Sequence, residues 1–229
     1  VLRLLRTGAD MTLRTAEGKT ALQYAKEEGH TECVEAFRTY LGEVEASRRE
    51  AAAAEAGGAG AGGAPAGEAA AGASAAASAS SGEGAGATPG SEAVPTEVVL
   101  AAVGDDEAPV LAWLDGGGWV DATFEYTFGC GSRESGMTLL MLAMVRGHAE
   151  LAEALLRRGA DVSLQKSDGG TALMFAALNG HEKLVELALR RGAEIDMQDN
   201  ISRTALMYAA YYGHPAVVLR LLRAGADSK

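Results

Sequence analysis

The chain has 229 residues, enough for one or two domains, with 20 basic against 31 acidic side chains and a formal net charge of −11. That balance argues against nucleic acid as a partner, because phosphate backbones are held by clustered Lys and Arg. No apolar run reaches the roughly 20 residues that cross a bilayer, and Val1–Arg6 is too short and too interrupted for a signal sequence. Cys33 and Cys130 stand far apart with no metal-ligand spacing, so neither a disulfide framework nor a zinc site is expected and an intracellular, cytoplasmic or nuclear setting follows.

The first 42 residues carry Gly8, Thr20 and Gly29-His30, then an apolar-periodic segment. From Glu45 to Ala93 there is no Val, Ile, Leu, Met, Phe, Tyr or Trp, and such a stretch cannot bury enough apolar surface to offset the entropy of ordering it. Residues 43–95 are therefore expected to form a linker: an Ala/Glu/Arg-rich helical start over Glu43–Ala56, then a disordered tract. Its GxG matches, such as Gly82-Glu83-Gly84, lack the flanking strand and helix of a phosphate loop.

Beyond the linker the chain repeats itself. Thr138, Thr171 and Thr204 are 33 apart, as are Gly147, Gly180 and Gly213, and again Gly159, Gly192 and Gly225. Thr20 and Gly29 keep the same nine-residue offset, and Gly8 precedes Thr20 by the 12 residues that separate Gly159 from Thr171. All four histidines fall at one phase of this period, after Gly29, Gly147 and Gly180, and after Gly213. A histidine that recurs with the repeat belongs to a repeated turn rather than to a unique catalytic or metal-binding constellation. Each unit predicts a short helix capped by its Thr, a turn at Gly-His, and a second helix with apolar residues three and four apart, such as Leu184, Val185, Leu187 and Ala188.

Thr171-Ala172-Leu173-Met174-Phe175-Ala176-Ala177 through Gly192-Ala193-Glu194 resembles an ankyrin repeat, with its 33-residue length and T-P-L-H-x-A signature. Gly-Ala-Asp or Gly-Ala-Glu closes units at Gly8, Gly159, Gly192 and Gly225. The family's Pro is absent, and its His is Gln23, Met141, Met174 or Met207. The resemblance implies an all-α fold: an ankyrin-type α-solenoid of stacked helix-turn-helix repeats with β-turn finger loops, here interrupted by a disordered linker. Residues 1–42 are assigned to the last one and a half repeats of a preceding ankyrin array, and 96–229 to an array of about four repeats. Its first repeat, 96–123, is degenerate, with Asp105-Asp106 in place of Gly-His. About nine extra residues lie near 124–132, where Phe124, Tyr126 and Phe128 alternate as on one face of a strand. They form either a lengthened finger folded onto Trp119 or a protruding aromatic contact loop.

Val1–Asp10 and Val218–Asp227 agree at nine positions of ten, which suggests one turn of a longer tandem in which a segment like Met11–Gly42 follows residue 229.

The resemblance implies a non-catalytic scaffold that binds another protein on the concave surface of fingers and first helices, with no cofactor, metal, small-molecule substrate, nucleic acid or membrane insertion. On that surface the contact candidates are Val145, Arg146, Leu178, Asn179, Tyr211 and Tyr212 before the turns, and Met137, Asp168, Ile201 and Arg203 on the fingers. Phe124, Tyr126 and Phe128 join them from the insertion. Tyr211 and Tyr212 serve equally to receive a following repeat. Two alternatives are a targeting arm of a larger enzyme, such as a kinase or ubiquitin ligase, with its catalytic domain outside this chain, and an anchor for channel or cytoskeletal assemblies.

Overall fold

The computed structural model describes residues 9–57, 94–127 and 133–224. Among them the elements run α1 (Ala21–Glu27), α2 (Thr31–Gly57), α3 (Thr96–Val103), α4 (Glu107–Asp115), β1 (Thr123–Thr127), β2 (Arg133–Thr138), α5 (Leu139–Arg146) and α6 (Ala149–Arg157). Then follow α7 (Ala172–Leu178), α8 (Glu182–Arg190), α9 (Ala205–Tyr211) and α10 (Pro215–Arg223).

The 33-residue pattern becomes helix pairs for local reasons. Thr20, Thr138, Thr171 and Thr204 each take extended backbone, and each hydroxyl accepts the N–H three residues on, which satisfies a donor that the helix leaves open. At Thr20 the box is reciprocal: Gln23, standing where the family has His, returns a side-chain bond to the Thr20 N–H. Gly147, Gly180 and Gly213 adopt φ of +84°, +73° and +77°, a region closed to most side chains. In the degenerate unit Asp105 takes that place at φ +62°, which Asp tolerates better than most residues, while Asp106 caps α4 through the Ala108 N–H.

None of these helix pairs can bury its apolar face by itself, and the contacts show how each does so. α3 packs on α5, α5 on α7 and α7 on α9, while α6 meets α8 and α8 meets α10. The core is continuous through Val98, Leu140, Leu151, Leu173, Val185 and Leu206 to Val218. Small residues line the inner helices, with Ala143, Ala176, Ala177, Ala209 and Ala210 wholly buried, and their short side chains let neighbouring helices approach closely.

The insertion is an antiparallel hairpin, with Phe124 opposite Met137 and a bulge between Phe124 and Tyr126. Phe128 and Cys130 lie outside the described residues. Trp119 is 53% exposed, whereas Phe124 turns into the core and anchors the base of the hairpin.

The stack does not follow chain order. The described part of residues 1–42, assigned from sequence to a preceding array, packs at the far end of this one, with α2 running on through the expected helical start of the linker to Gly57: α1 lies against α9 and α2 against α10. The spatial order of the helix pairs is α3/α4, α5/α6, α7/α8, α9/α10 and then α1/α2.

Candidate functional site

The histidines run along the stack as a ladder. His148 Nε2 meets the Val103 carbonyl at 3.1 Å, His181 meets Val145 at 3.3 Å, His214 meets Leu178 at 2.9 Å and His30 meets Tyr211 at 2.9 Å. Each opens the second helix of its pair and reaches sideways to the pair before it, so the imidazole N–H satisfies a carbonyl exposed at the end of a short helix. Each of the last three rings also lies over a turn glycine: a Cβ on Gly147, Gly180 or Gly213 would stand 2.8, 2.5 or 2.7 Å from it. At the first rung Asp105 supplies a further contact, its carboxylate 3.2 Å from His148 Nδ1. The substitution of Asp for Gly that marks the degenerate unit in the sequence is therefore a paired feature. Among the described residues a Cβ on Gly29 would meet nothing within 4 Å. The histidines are spread along the stack, and no group of His, Cys, Asp and Glu among the described residues could hold a metal ion.

The fingers are tied to one another by charge. The Lys166 side chain is only 4% exposed and pairs with Glu134 on β2 and with Asp168 at 2.5 Å. Burial pushes its pKa down, but the hydrogen bonds it donates to Asp168 and Glu134 outweigh this and hold it above the ordinary lysine value. The next finger is joined through Asn200, whose N–H donates to the Asp168 carbonyl at 2.9 Å. Tyr126 accepts a bond from Arg146 at 2.6 Å, which fastens the hairpin to α5.

At the far end the fingers and first helices build an aromatic cluster around one guanidinium. The Arg203 carbon lies 5.5 Å from the Tyr24 ring, 5.8 Å from Tyr208 and 5.6 Å from Tyr211, within cation–π range of all three. Tyr211 meets Tyr24 edge-on at 5.6 Å and Tyr212 at 5.0 Å. Tyr208 donates to Asp199 at 2.5 Å; burial and that carboxylate push its pKa up.

The expected contact residues separate into three groups. Tyr212 and Ile201, 48% and 49% exposed, and Asn179, Asp168 and Arg146 face solvent, while Leu178, Val145, Tyr126, Arg203 and Tyr211 are half-buried. Met137 and Phe124 are buried, at 0% and 8% exposure, and are corrected to core residues: they oppose each other across the hairpin base and offer no surface to a partner. Phe128 lies outside the described residues. Sequence reading missed Tyr24, Tyr208 and Lys166. The first two follow Thr20 and Thr204 by four residues, so the shared phase of the two tyrosines was the available signal.

No described helix is long and apolar enough to cross a membrane. A comparison with curated proteins gives no match. Residues 140–229 match the family model for ankyrin repeats in three copies. Repeats of that kind are in general protein–protein interaction modules and are typically non-catalytic. With capped helix pairs, glycine turns and the histidine ladder in the same register, residues 140–229 belong to the ankyrin repeat family.

Proposed function

We propose that the chain is a protein-binding scaffold whose fingers and first helices grip a partner protein. In this reading the five helix pairs act as one α-solenoid; beyond Gly57 the tract expected within the 43–95 linker lies outside the described residues. The observation that carries the reading is the pair Ile201 and Tyr212. Both are about half exposed; Tyr212 meets Tyr211 edge-on, which is itself held against Arg203, and exposed Tyr and aliphatic side chains near such a fixed Tyr/Arg cluster are of the kinds found at interface hot spots. Leu178, Asn179, Val145 and Arg146 extend the patch toward the hairpin, with Asp168 and Tyr126 at its rim. Tyr211 is held by Tyr24, so it supports the surface more than it contributes area.

A photo-crosslinking side chain at position 212, compared with one at the outer-helix position Arg190, tests the surface. The same protein partner should be captured from 212 and not from 190. Tyr212→Ala and Ile201→Ala should each weaken its binding by about 1–3 kcal/mol, roughly 5- to 150-fold. Equal capture from both positions, with binding unchanged in both variants, would refute the choice of face.

A further inference from the structure

Two cations occupy the same position of the repeat and are completed differently. Lys19 stands directly before the capping Thr20, and Arg203 directly before Thr204. Each lies over the tyrosine five residues on: Lys19 Nζ is 5.5 Å from the Tyr24 ring, and the Arg203 guanidinium carbon is 5.8 Å from Tyr208. Lys19 then donates to the carboxylate of Glu27, eight residues on, at 2.6 Å. The residue eight after Arg203 is Tyr211, whose ring lies 5.6 Å from the guanidinium and brings no formal negative charge. The acid of the same finger, Asp199, is already engaged. One of its oxygens accepts the N–H groups of Ile201 and Arg203, and the other accepts the Tyr208 hydroxyl. Among the described residues no carboxylate pairs with the Arg203 guanidinium, although on the neighbouring fingers Arg133 pairs with Glu125, and Lys166 with Glu134 and Asp168.

Arg203 is half-buried and held by the rings of Tyr24, Tyr208 and Tyr211, so little side-chain freedom remains to be lost on binding. A guanidinium fixed in this way offers a planar fork of donors that matches a carboxylate. We infer that the protein partner sets an Asp or Glu side chain on Arg203, supplying from outside the carboxylate that Glu27 supplies to Lys19 within the chain. An apolar side chain next to that acid meets Ile201, on the same finger as Arg203, and Tyr212, which borders the cluster through Tyr211. The net charge of −11 repels a broadly acidic partner, so the acid stands in neutral or basic surroundings. The inference rests on the binding face proposed above and adds the chemistry of its central contact.

The probe is a library of random peptides, displayed without a free C-terminus and selected on the full chain. Peptides whose binding falls with Tyr212→Ala use the proposed face. Among these an Asp or Glu should recur at one place, and changing it to Asn or Gln should weaken binding about 10- to 100-fold. On Arg203→Gln the same peptide change should cost nothing further. Arg203→Lys keeps a cation over the rings but loses the fork, so it should shrink the difference between acid and amide peptides severalfold; it decides the matter if Arg203→Gln disturbs the tyrosine cluster, which thermal unfolding reports. Peptides that need Tyr212 but share no acid, or an acid whose loss costs as much on both Arg203 variants as on the parent, would overturn the inference and leave the face standing. Binders indifferent to both Tyr212→Ala and Ile201→Ala would remove the face, and the inference with it.

Discussion

Replacing His214 with Ala tests whether the histidine ladder couples the repeats. His214 Nε2 bonds the Leu178 carbonyl at 2.9 Å, and a net hydrogen bond contributes about 1 kcal/mol. Its ring rests on Gly180, and about 30 Å² of lost apolar contact at ~25 cal/mol per Å² adds roughly 0.8 kcal/mol. No cap is lost, because the His214 side chain makes no capping bond to α10. The expected destabilisation is therefore about 1.5–2.5 kcal/mol, which at a urea m-value of about 2 kcal/mol/M moves the midpoint down by roughly 1 M. The loss falls on one boundary of an array held by nearest-neighbour contacts, so urea unfolding followed by circular dichroism should also broaden as α7/α8 and α9/α10 uncouple. The matched variant His30→Ala acts at the end of the stack and should release α1/α2 while the other pairs keep their midpoint. A His214→Ala midpoint within about 0.2 M of the parent, or a full-array shift of the same size from His30→Ala, would refute the coupling role.

Three further outcomes are expected. Thr171→Ala removes the bond from the Met174 N–H at a buried helix start and should destabilise by about 1 kcal/mol, whereas Thr171→Ser should recover most of it, read by the same denaturation. Stability should fall as pH rises past about 10. Tyr208 is held protonated by burial and by Asp199, so above that pH only the unfolded tyrosine loses its proton. Lys166, raised by Asp168 and Glu134 against its burial, contributes stability fully present below about pH 10.4 and lost as pH climbs through its folded value. Tyr208→Phe and Lys166→Met should each flatten the alkaline fall in Tm, and an unchanged profile would disprove the assignment. Finally, burial pushes the Cys33 thiol up to about 11, so with Cys130→Ser its modification at pH 8 should run about a hundredfold slower than that of a free thiol; Tyr24→Ala should speed it.

Local rules made most of the helix pairs legible before any coordinates. A Thr followed nine residues later by Gly-His dictates a capped helix and a turn, and both form at each of the four places the sequence shows. The hairpin was partly visible: alternation at Phe124 and Tyr126 marked a strand, but which ring turned inward depended on Met137 across the pair, a partner that period-two spacing does not specify. Met137 looked like a finger contact because its offset from Thr138 is that of Arg203 from Thr204, yet the hairpin covers one and leaves the other half open. Lys166 read as an ordinary charged finger residue, since its acidic partner Glu134 sits 32 residues back. Placement of residues 9–57 beside α9 and α10 was the largest gap. The nine-of-ten match between the two ends held the register that places them, but a match along the chain does not state which copy of a surface the segment occupies.

The location of α1 and α2 at the far end of the stack also sets a timetable. Made before them, this pair must wait for its resting place until α9 and α10 leave the ribosome, about 180 residues later, which at 5–20 residues per second is roughly 9–36 s. Throughout that interval Tyr24, Cys33 and Phe37, all buried in the finished molecule, lack the cover that α9 and α10 bring, so a pair made well before its neighbours is completed only after them.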